Sequence, residues 1–344
     1  MPGSGRVLPV AALVLWCAVK SSMLREPAVR QVELQRLDGG AETRELDYLA
    51  AEEPLEIRVE GHSVAVVMRT PGQDRELAAG FLVTEGLVRT GSDLVGIQHR
   101  PHCSGYSNRS DGPLQTREVR RPSRKASEFG DIPVGASDGN LIEVRLRRPG
   151  SLDLKRLTRH VFSSSSCGIC SKAAIEAVRQ QFPPIKDDFR VASQVILGLP
   201  AALASVQETF KRTGGLHACA LFDRDGRLLV LREDIGRHNA LDKAVGWGLL
   251  ENRLPLRQQL LLLSGRASFE MMQKALAARI PVVAAISAPS SLAVEFARES
   301  GQTLVGFLRG ERMNIYAGRE RLLNGSASTV LAGLAGQRSW ESSA

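Results

Sequence analysis

The residues best suited to covalent chemistry in this 344-residue chain are Cys167 and Cys170, separated by Gly168 and Ile169. Four serines, Ser163 to Ser166, precede the pair, and Ser171 and Lys172 follow it. Ala173 to Arg179 then has helix-forming composition and apolar spacing, which places the cysteines at or just before a helix N-terminus. Unpaired backbone amides and the helix dipole favour a thiolate there, and Lys172 adds positive charge. No acidic residue lies between Arg159 and Ala174 to oppose ionisation.

Three active chemistries suit such a pair: a redox dithiol, half of a zinc site, and a carrier in which one cysteine holds a sulfane sulfur as a persulfide. The bland alternative is two ordinary cysteines in an exposed loop. Zinc wants about four ligands, usually with a second close pair. The remaining cysteines, Cys17, Cys103 and Cys219, form no second CxxC. A thioredoxin-like motif would follow a strand and carry an aromatic residue or proline nearby, which this loop lacks. A persulfide carrier needs only a nucleophilic thiolate on a swinging loop, and the serine run suits it best.

The clearest positioning elements come later in the chain. Gln259 to Ser264 reads as a buried strand, then Gly265-Arg266 and a helix over Ala267 to Ala278. Pro281 to Ser287 is a second strand, then Ala288 to Ser291 and a helix to about Ser300. Thr303 to Phe307 is a third, followed by Leu308 to Arg312. This β-α-β-α-β order implies parallel strands whose ends share one sheet edge. That edge would gather hydroxyls from Ser264, Ser287, Ser290 and Ser291 with cations from Arg266, Arg309 and Arg312, a set suited to phosphates. Neither a P-loop nor a dinucleotide glycine fingerprint is present. Upstream, Leu216 to Phe222 and Arg227 to Arg232 flank the turn Asp223 to Gly226. The hairpin runs into the polar cluster Glu233 to Lys243, with His238 in it and Asn239 expected to cap the next helix. His217 and Cys219 share a strand face, as a satisfied half-buried pair rather than a reactive dyad. A single helix is expected over about Ser193 to Arg212, halted by Thr213-Gly214-Gly215.

In the N-terminal half, Leu55 to Val59 and His62 to Met68 make a hairpin around Glu60-Gly61, and Asp74 to Val88 an amphipathic helix stopping near Gly86. His62 is a turn residue. Residues 99–138 lack apolar periodicity and carry a basic run, and are expected to be a disordered insertion, with His99, His102 and Cys103 too loosely placed for a metal. Leu141 to Leu146 resumes as a strand. Residues 1–22 are a leader or upstream sequence outside the fold, with Met23 as the expected start. The domains are then 23–150, a smaller β-rich N-terminal subdomain, 151–325, the cysteine loop with a cofactor-binding domain, and a tail from 326 to 344.

A hydrophobic content of 43% and a charged content of 24% are those of a globular protein. The formal net charge of +8 favours an anionic partner. Arginines scattered among only 5% aromatics weigh against nucleic acid and towards a phosphorylated small molecule or an acidic protein. The five irregularly spaced cysteines point to a reducing, cytoplasmic compartment.

Several of these blocks resemble the FdhD family: Ser164 to Cys170, Thr213 to Ala218, Glu233 to Lys243, Ser264 to Glu270 and Ser287 to Ala293, with Arg75 to Leu82 and Thr84 to Gly86 towards the N-terminus. The resemblance runs from about Val32 to Leu322, apart from the insertion. It implies a sulfurtransferase required for formate dehydrogenase activity. Such a protein takes persulfide sulfur from a cysteine desulfurase and passes it to the molybdenum bis(molybdopterin guanine dinucleotide) cofactor. The implied persulfide cysteine is Cys167, with Cys170 assisting. The implied cofactor segment is Phe307, Leu308, Arg309, Gly310, Glu311 and Arg312, to which the strand-end reading adds Ser264, Gly265, Arg266 and His238. The family also implies an α/β fold, its C-terminal part a cytidine-deaminase-like three-layer domain, and a homodimer. No intrinsic metal, nucleic acid or membrane is expected. Ser171 departs from the family pattern, as does Cys219 where a small apolar residue is usual.

Two other functions compete. A zinc-dependent deaminase would need H-x-E and P-C-x-x-C, neither of which stands here. A non-catalytic chaperone that holds and delivers the cofactor would need the sheet edge and no cysteine.

Overall fold

The computed structural model describes residues 27–100, 139–148 and 181–324. Cys167 and Cys170 lie outside the described residues, as do the leader, His102, Cys103, nearly all of the 99–138 insertion and the tail.

The three late apolar runs form β10 (Leu260–Leu263), β11 (Val282–Ala285) and β12 (Thr303–Arg309). Both faces of β10 and β11 are buried, as in a parallel sheet covered on each side. β10 pairs parallel to β11, and β11 parallel to β12. Two antiparallel hairpins flank them. β8 (His217–Phe222) pairs with β10 and with β9 (Leu228–Asp234), and β13 (Arg312–Ala317) pairs with β12. The six-stranded order is β13-β12-β11-β10-β8-β9.

Helices cover both faces. Alternate residues of each strand enter one of two cores. Ala218, Ala220, Phe222, Leu260, Leu262, Val282 and Ala284 pack with Ile196, Leu199 and Leu203 of α2 (Ser193–Val206). Cys219, Leu221, Leu261, Leu263, Val283 and Ala285 face the other way, towards α4 (Arg237–Leu250), α5 (Phe269–Ala277) and α6 (Ser291–Ser300). The expected single helix over 193–212 is two: α2 ends at Val206, and α3 (Glu208–Thr213) follows after Gln207, whose ψ of 69 is not helical. Gly214 closes α3 in the left-handed conformation, as its position suggested.

The N-terminal part is β-rich. β3 (Glu53–Val59) and β4 (His62–Arg69) form the expected hairpin, with His62 exposed at the turn. β6 (Leu141–Leu146) pairs with β3 and with β5 (Leu94–His99), giving the order β4-β3-β6-β5. α1 (Asp74–Thr84) packs between this sheet and α4, and the larger core runs from Leu55 and Ile57 through Leu77 and Leu82 to Leu241 and Val245. A further hairpin, β1 (Val29–Asp38) with β2 (Ala41–Ala50), precedes it, and a short parallel pair joins β7 (Val191–Ala192) to β14 (Leu322–Leu323).

Because α4 is covered on several sides, its polar residues must be paired. Lys243 and Asp234, with side chains 1% and 0% exposed, lie 2.7 Å apart, and Lys243 Nζ also donates to Thr70 O at 2.9 Å. Asp242 accepts from Lys274 of α5 at 2.8 Å and from Thr84 of α1 at 2.9 Å. An unpaired charge in such a place would cost several kcal/mol (about 3–5).

Candidate functional site

Strand directions decide where the polar residues meet. The C-terminal ends of β10, β11 and β12 open on one edge of the sheet. β8 runs antiparallel to β10, with Cys219 opposite Leu263, so β8 begins at that edge with His217. His217 in turn faces Asp234, so β9 ends there and α4 starts there. The β12–β13 turn completes the edge, with Arg309 opposite Arg312. Ser264, Gly265, Arg266, His238 and the Phe307–Arg312 segment, far apart in the sequence, therefore lie along one edge of the sheet.

Local chemistry shapes each loop. Ser264 Oγ accepts from Ala218 N at 2.8 Å, and Ser264 N donates to Ala218 O at 3.0 Å, which ties the β10 end to β8. A Cβ at Gly265 would come 3.2 Å from His217 Nδ1, so a glycine lets this loop lie against the imidazole. Arg266 is exposed. Gly306 allows a close approach to the β11–α6 loop, where a Cβ would stand 2.8 Å from Pro289 Cδ. Next to it Phe307 adopts φ 51, an unusual conformation for a bulky residue, and its N donates to Ser287 O at 3.1 Å. The pairing shifts register between Gly306 and Arg309, so this is a bulge. The bulge leaves Phe307 41% exposed, while Leu308 is 0% exposed within the α2-side core. Leu308 thus anchors the segment by its side chain. Arg309, Gly310, Glu311 and Arg312 are exposed, and Gly310 turns the chain at φ 54.

At the α4 end, Gly236 rather than Asn239 occupies the cap position. Asn239 instead ties the helix to the N-terminal part, its Nδ2 donating to Met68 O at 2.7 Å and to Asp234 Oδ1 at 3.0 Å. Asp234 and Glu233, read from the sequence as part of the polar cluster at a strand–helix junction, are the last residues of β9. His238 Nε2 stands 2.6 Å from Glu270 Oε2 at the start of α5. Contact with His238 holds the Glu270 carboxyl below the usual range, against the opposing effect of burial. Burial pulls the His217 imidazole down, and Arg237, His238 and Arg266 add to it. Arg237 and Glu270 were not singled out in the sequence. The acidic residue in the first turn of α5 was visible, but its partner lies on a different helix and could not be read from spacing.

Cys219 is buried, its thiol donating weakly to Arg237 O at 3.8 Å, and burial pushes that thiol up. The expected half-buried pair with His217 is unequal: Cys219 is fully buried in the core, and His217 is partly exposed at the sheet edge. Among the described residues no group of three or more His, Cys, Asp or Glu could hold a metal ion, and His99, at the end of β5, lies 3.8 Å from Asp74. No helix among the described residues is long and apolar enough to cross a membrane.

Fold and edge together define a mixed α/β protein with a cation-rich sheet edge. Comparison with known proteins makes the class specific. The FdhD/NarQ family matches residues 50–323. A sulfur carrier protein FdhD from Nocardia farcinica is 45% identical over 86% of this chain and 96% of its own length. One from Mycolicibacterium paratuberculosis is 49% identical over 80% of this chain and 91% of its own. A sulfur carrier protein FdhD from the more distant Sulfurisphaera tokodaii is 38% identical over 86% of this chain and 99% of its own. A crystal structure from Desulfotalea psychrophila, described as a formate dehydrogenase accessory protein, superposes with a TM-score of 0.62 at 22% identity, covering 86% of this chain and all of that one. The chain belongs to the FdhD/NarQ family.

Proposed function

We propose that this protein is a sulfur carrier for formate dehydrogenase, taking sulfur from a cysteine desulfurase and delivering it to the molybdenum bis(molybdopterin guanine dinucleotide) cofactor. In the loading step the Cys167 thiolate attacks the outer sulfur of the desulfurase persulfide. The S–S bond of the donor breaks, the desulfurase cysteine leaves as a thiolate, and Cys167 becomes the persulfide, with Cys170 assisting. The cofactor is substrate and cargo. Its anionic phosphates suit Arg266, Arg309 and Arg312, and its guanine suits the displayed Phe307 ring.

The observation that carries this reading is the naming of relatives at 45–49% identity as sulfur carriers over nearly their whole length. The cationic edge supports it independently, as a place for a phosphorylated cargo. The cytidine-deaminase-type likeness of the C-terminal part, the homodimer and a cytoplasmic location belong to the same proposal.

Intact-protein mass spectrometry after incubation with a cysteine desulfurase and cysteine, without reductant, tests it. Wild type gains one sulfur atom and Cys167→Ala gains none. A wild type that gains no sulfur yet binds the cofactor would instead favour a chaperone that only holds it.

A further inference from the structure

Residues 149–180, which carry Cys167 and Cys170, leave the described fold after Arg148 and rejoin it at Gln181. Both roots are firmly tied. Arg147 N donates to Asp93 O at 2.9 Å and Arg147 Nε to Ser92 O at 2.8 Å, which fixes the first root to the loop between α1 and β5. A Cβ at Gly91 in that loop would come 2.7 Å from Asn252 Oδ1, so the loop lies against the chain just after α4. At the second root Gln181 Nε2 donates to Glu85 O at 2.9 Å, just after α1, and Ile185 N donates to Ser300 O at 2.8 Å, at the end of α6. The Arg279 guanidinium, just after α5, donates to Pro183 O and Pro184 O. Leu256 N donates to Ala278 O at 2.9 Å and joins the ends of α4 and α5. The roots therefore sit where the helices end and β10, β11 and β12 begin. The 14 residues of α4 separate this end by about 20 Å from the edge where Arg237 and His238 stand.

Arginines surround the roots. Arg89, Arg147, Arg253 and Arg257 are exposed and form no ion pair among the described residues. Arg253 is held over the Trp247 ring, its Cζ 5.0 Å from the centroid. Burial and the neighbouring Arg257 both pull the Arg279 guanidinium down, with Asp187 opposing them. Asp187 is itself committed to Arg321. Asp93 is likewise engaged, accepting from the backbone of Arg89 and Thr90 at 2.9 Å. Glu251 is an exposed carboxylate at this end. A helix C-terminus favours a cation in its last turn. That accounts for a charge close behind α4 or α5, and not for Arg89 and Arg147 on the loop and strand, nor for Arg257 set against Arg279.

We propose that Arg89, Arg147, Arg253 and Arg257 form the docking surface for an acidic face of the protein that donates sulfur. This rests on the carrier reading and gives the donor a place on the fold, at the end opposite the cation-rich sheet edge. Guanidinium groups pair with carboxylates through two parallel hydrogen bonds, and exposed cations of one sign steer an acidic partner towards them. Cys170 stands eleven residues before Gln181, a tether of at most about 40 Å, which keeps the CxxC pair within reach of a donor seated among these arginines.

Rates of sulfur loading, followed by mass spectrometry on the full-length protein, test the surface with two donors. One is a cysteine desulfurase with cysteine, and the other is glutathione persulfide, which needs no docking. Arg253→Glu with Arg257→Glu slows loading from the desulfurase roughly tenfold and removes most of its salt dependence. Arg89→Glu with Arg147→Glu does the same from the other root. Loading from glutathione persulfide stays at the wild-type rate in both, and Arg44→Glu, a reversal on the β1–β2 hairpin, alters neither donor's rate. Desulfurase loading indifferent to both double reversals overturns the docking surface and leaves the carrier reading standing. Equal slowing with both donors also overturns it, because the arginines would then act on the thiolates or the fold. A wild type loaded by neither donor overturns the carrier reading with it.

Discussion

Gly80 of α1 and Gly246 of α4 meet where the two helices cross with their backbones in contact. A Cβ on Gly80 would lie 1.7 Å from Asp242 O, and one on Gly246 would lie 1.8 Å from Glu76 O. Neither position has a flexible side chain that could yield. The crossing sets the height of α4 over the sheet, and hence the reach of Arg237 and His238 at its start.

Gly80→Ala and Gly246→Ala should therefore each destabilise the protein by about 3 kcal/mol or more, at the upper end of overpacking costs. Urea denaturation measures it. A loss under about 1 kcal/mol in both would show that the helices separate easily, and that the crossing does not fix α4.

The fold's response to acid is set partly by His217. Its imidazole is held below the ordinary value by burial and by Arg237, His238 and Arg266. The native state thus binds fewer protons than the unfolded chain, and stability rises with pH across that interval. The contribution is full above about pH 6.5, the ordinary imidazole value, and is lost as pH falls towards the depressed one. His217→Asn should flatten this part of the stability-against-pH curve. Denaturation midpoints taken from pH 5 to pH 8 check it, and an unchanged slope would mean that the buried imidazole costs nothing to protonate.

How far the sequence revealed this molecule depends on the kind of signal. Leu260–Leu263 and Val282–Ala285 are continuous apolar runs, the first ended by Ser264-Gly265 and the second opened by Pro281, and their strands and following helices were legible to within a few residues. The hairpin of β1 and β2 left no mark in the sequence, because exposed residues dominate both faces and leave no clean alternation. Asn239 looked like a cap by residue type, but its amide is drawn to Met68 O, a partner 171 positions away. The edge itself was legible because parallel strands put their ends together. The His238–Glu270 contact was not, since it depends on how α4 and α5 lean on one sheet, and no spacing encodes that.

Phe307 carries strain for display. At φ 51 and 41% exposed, it gains little from burial and pays in backbone conformation. A glycine there relieves the left-handed strain, at a cost in unfolded-chain entropy of about 0.5–1 kcal/mol. Phe307→Gly should leave stability within about 1 kcal/mol of wild type and weaken GDP binding by about tenfold through lost stacking. Fluorescence-detected GDP titration beside a thermal melt separates the two. Unchanged affinity would remove Phe307 from the ligand and leave its strained conformation without a purpose.

Cys219 offers the sharpest control for sulfur loading, because it shares the edge with the proposed cargo and yet should be inert. A persulfide acceptor must ionise and must be reached, whereas burial pushes this thiol up and the surrounding core encloses it. Cys219→Ala should keep full sulfur loading by a cysteine desulfurase, with a stability loss of about 1 kcal/mol for the small cavity. Cys167→Ala should lose loading with no comparable change in stability. Mass spectrometry of tryptic peptides identifies which cysteine carries the added sulfur. Sulfur found on the Cys219 peptide would mean that β8 opens during loading, and would move the carrier from the CxxC loop to the sheet.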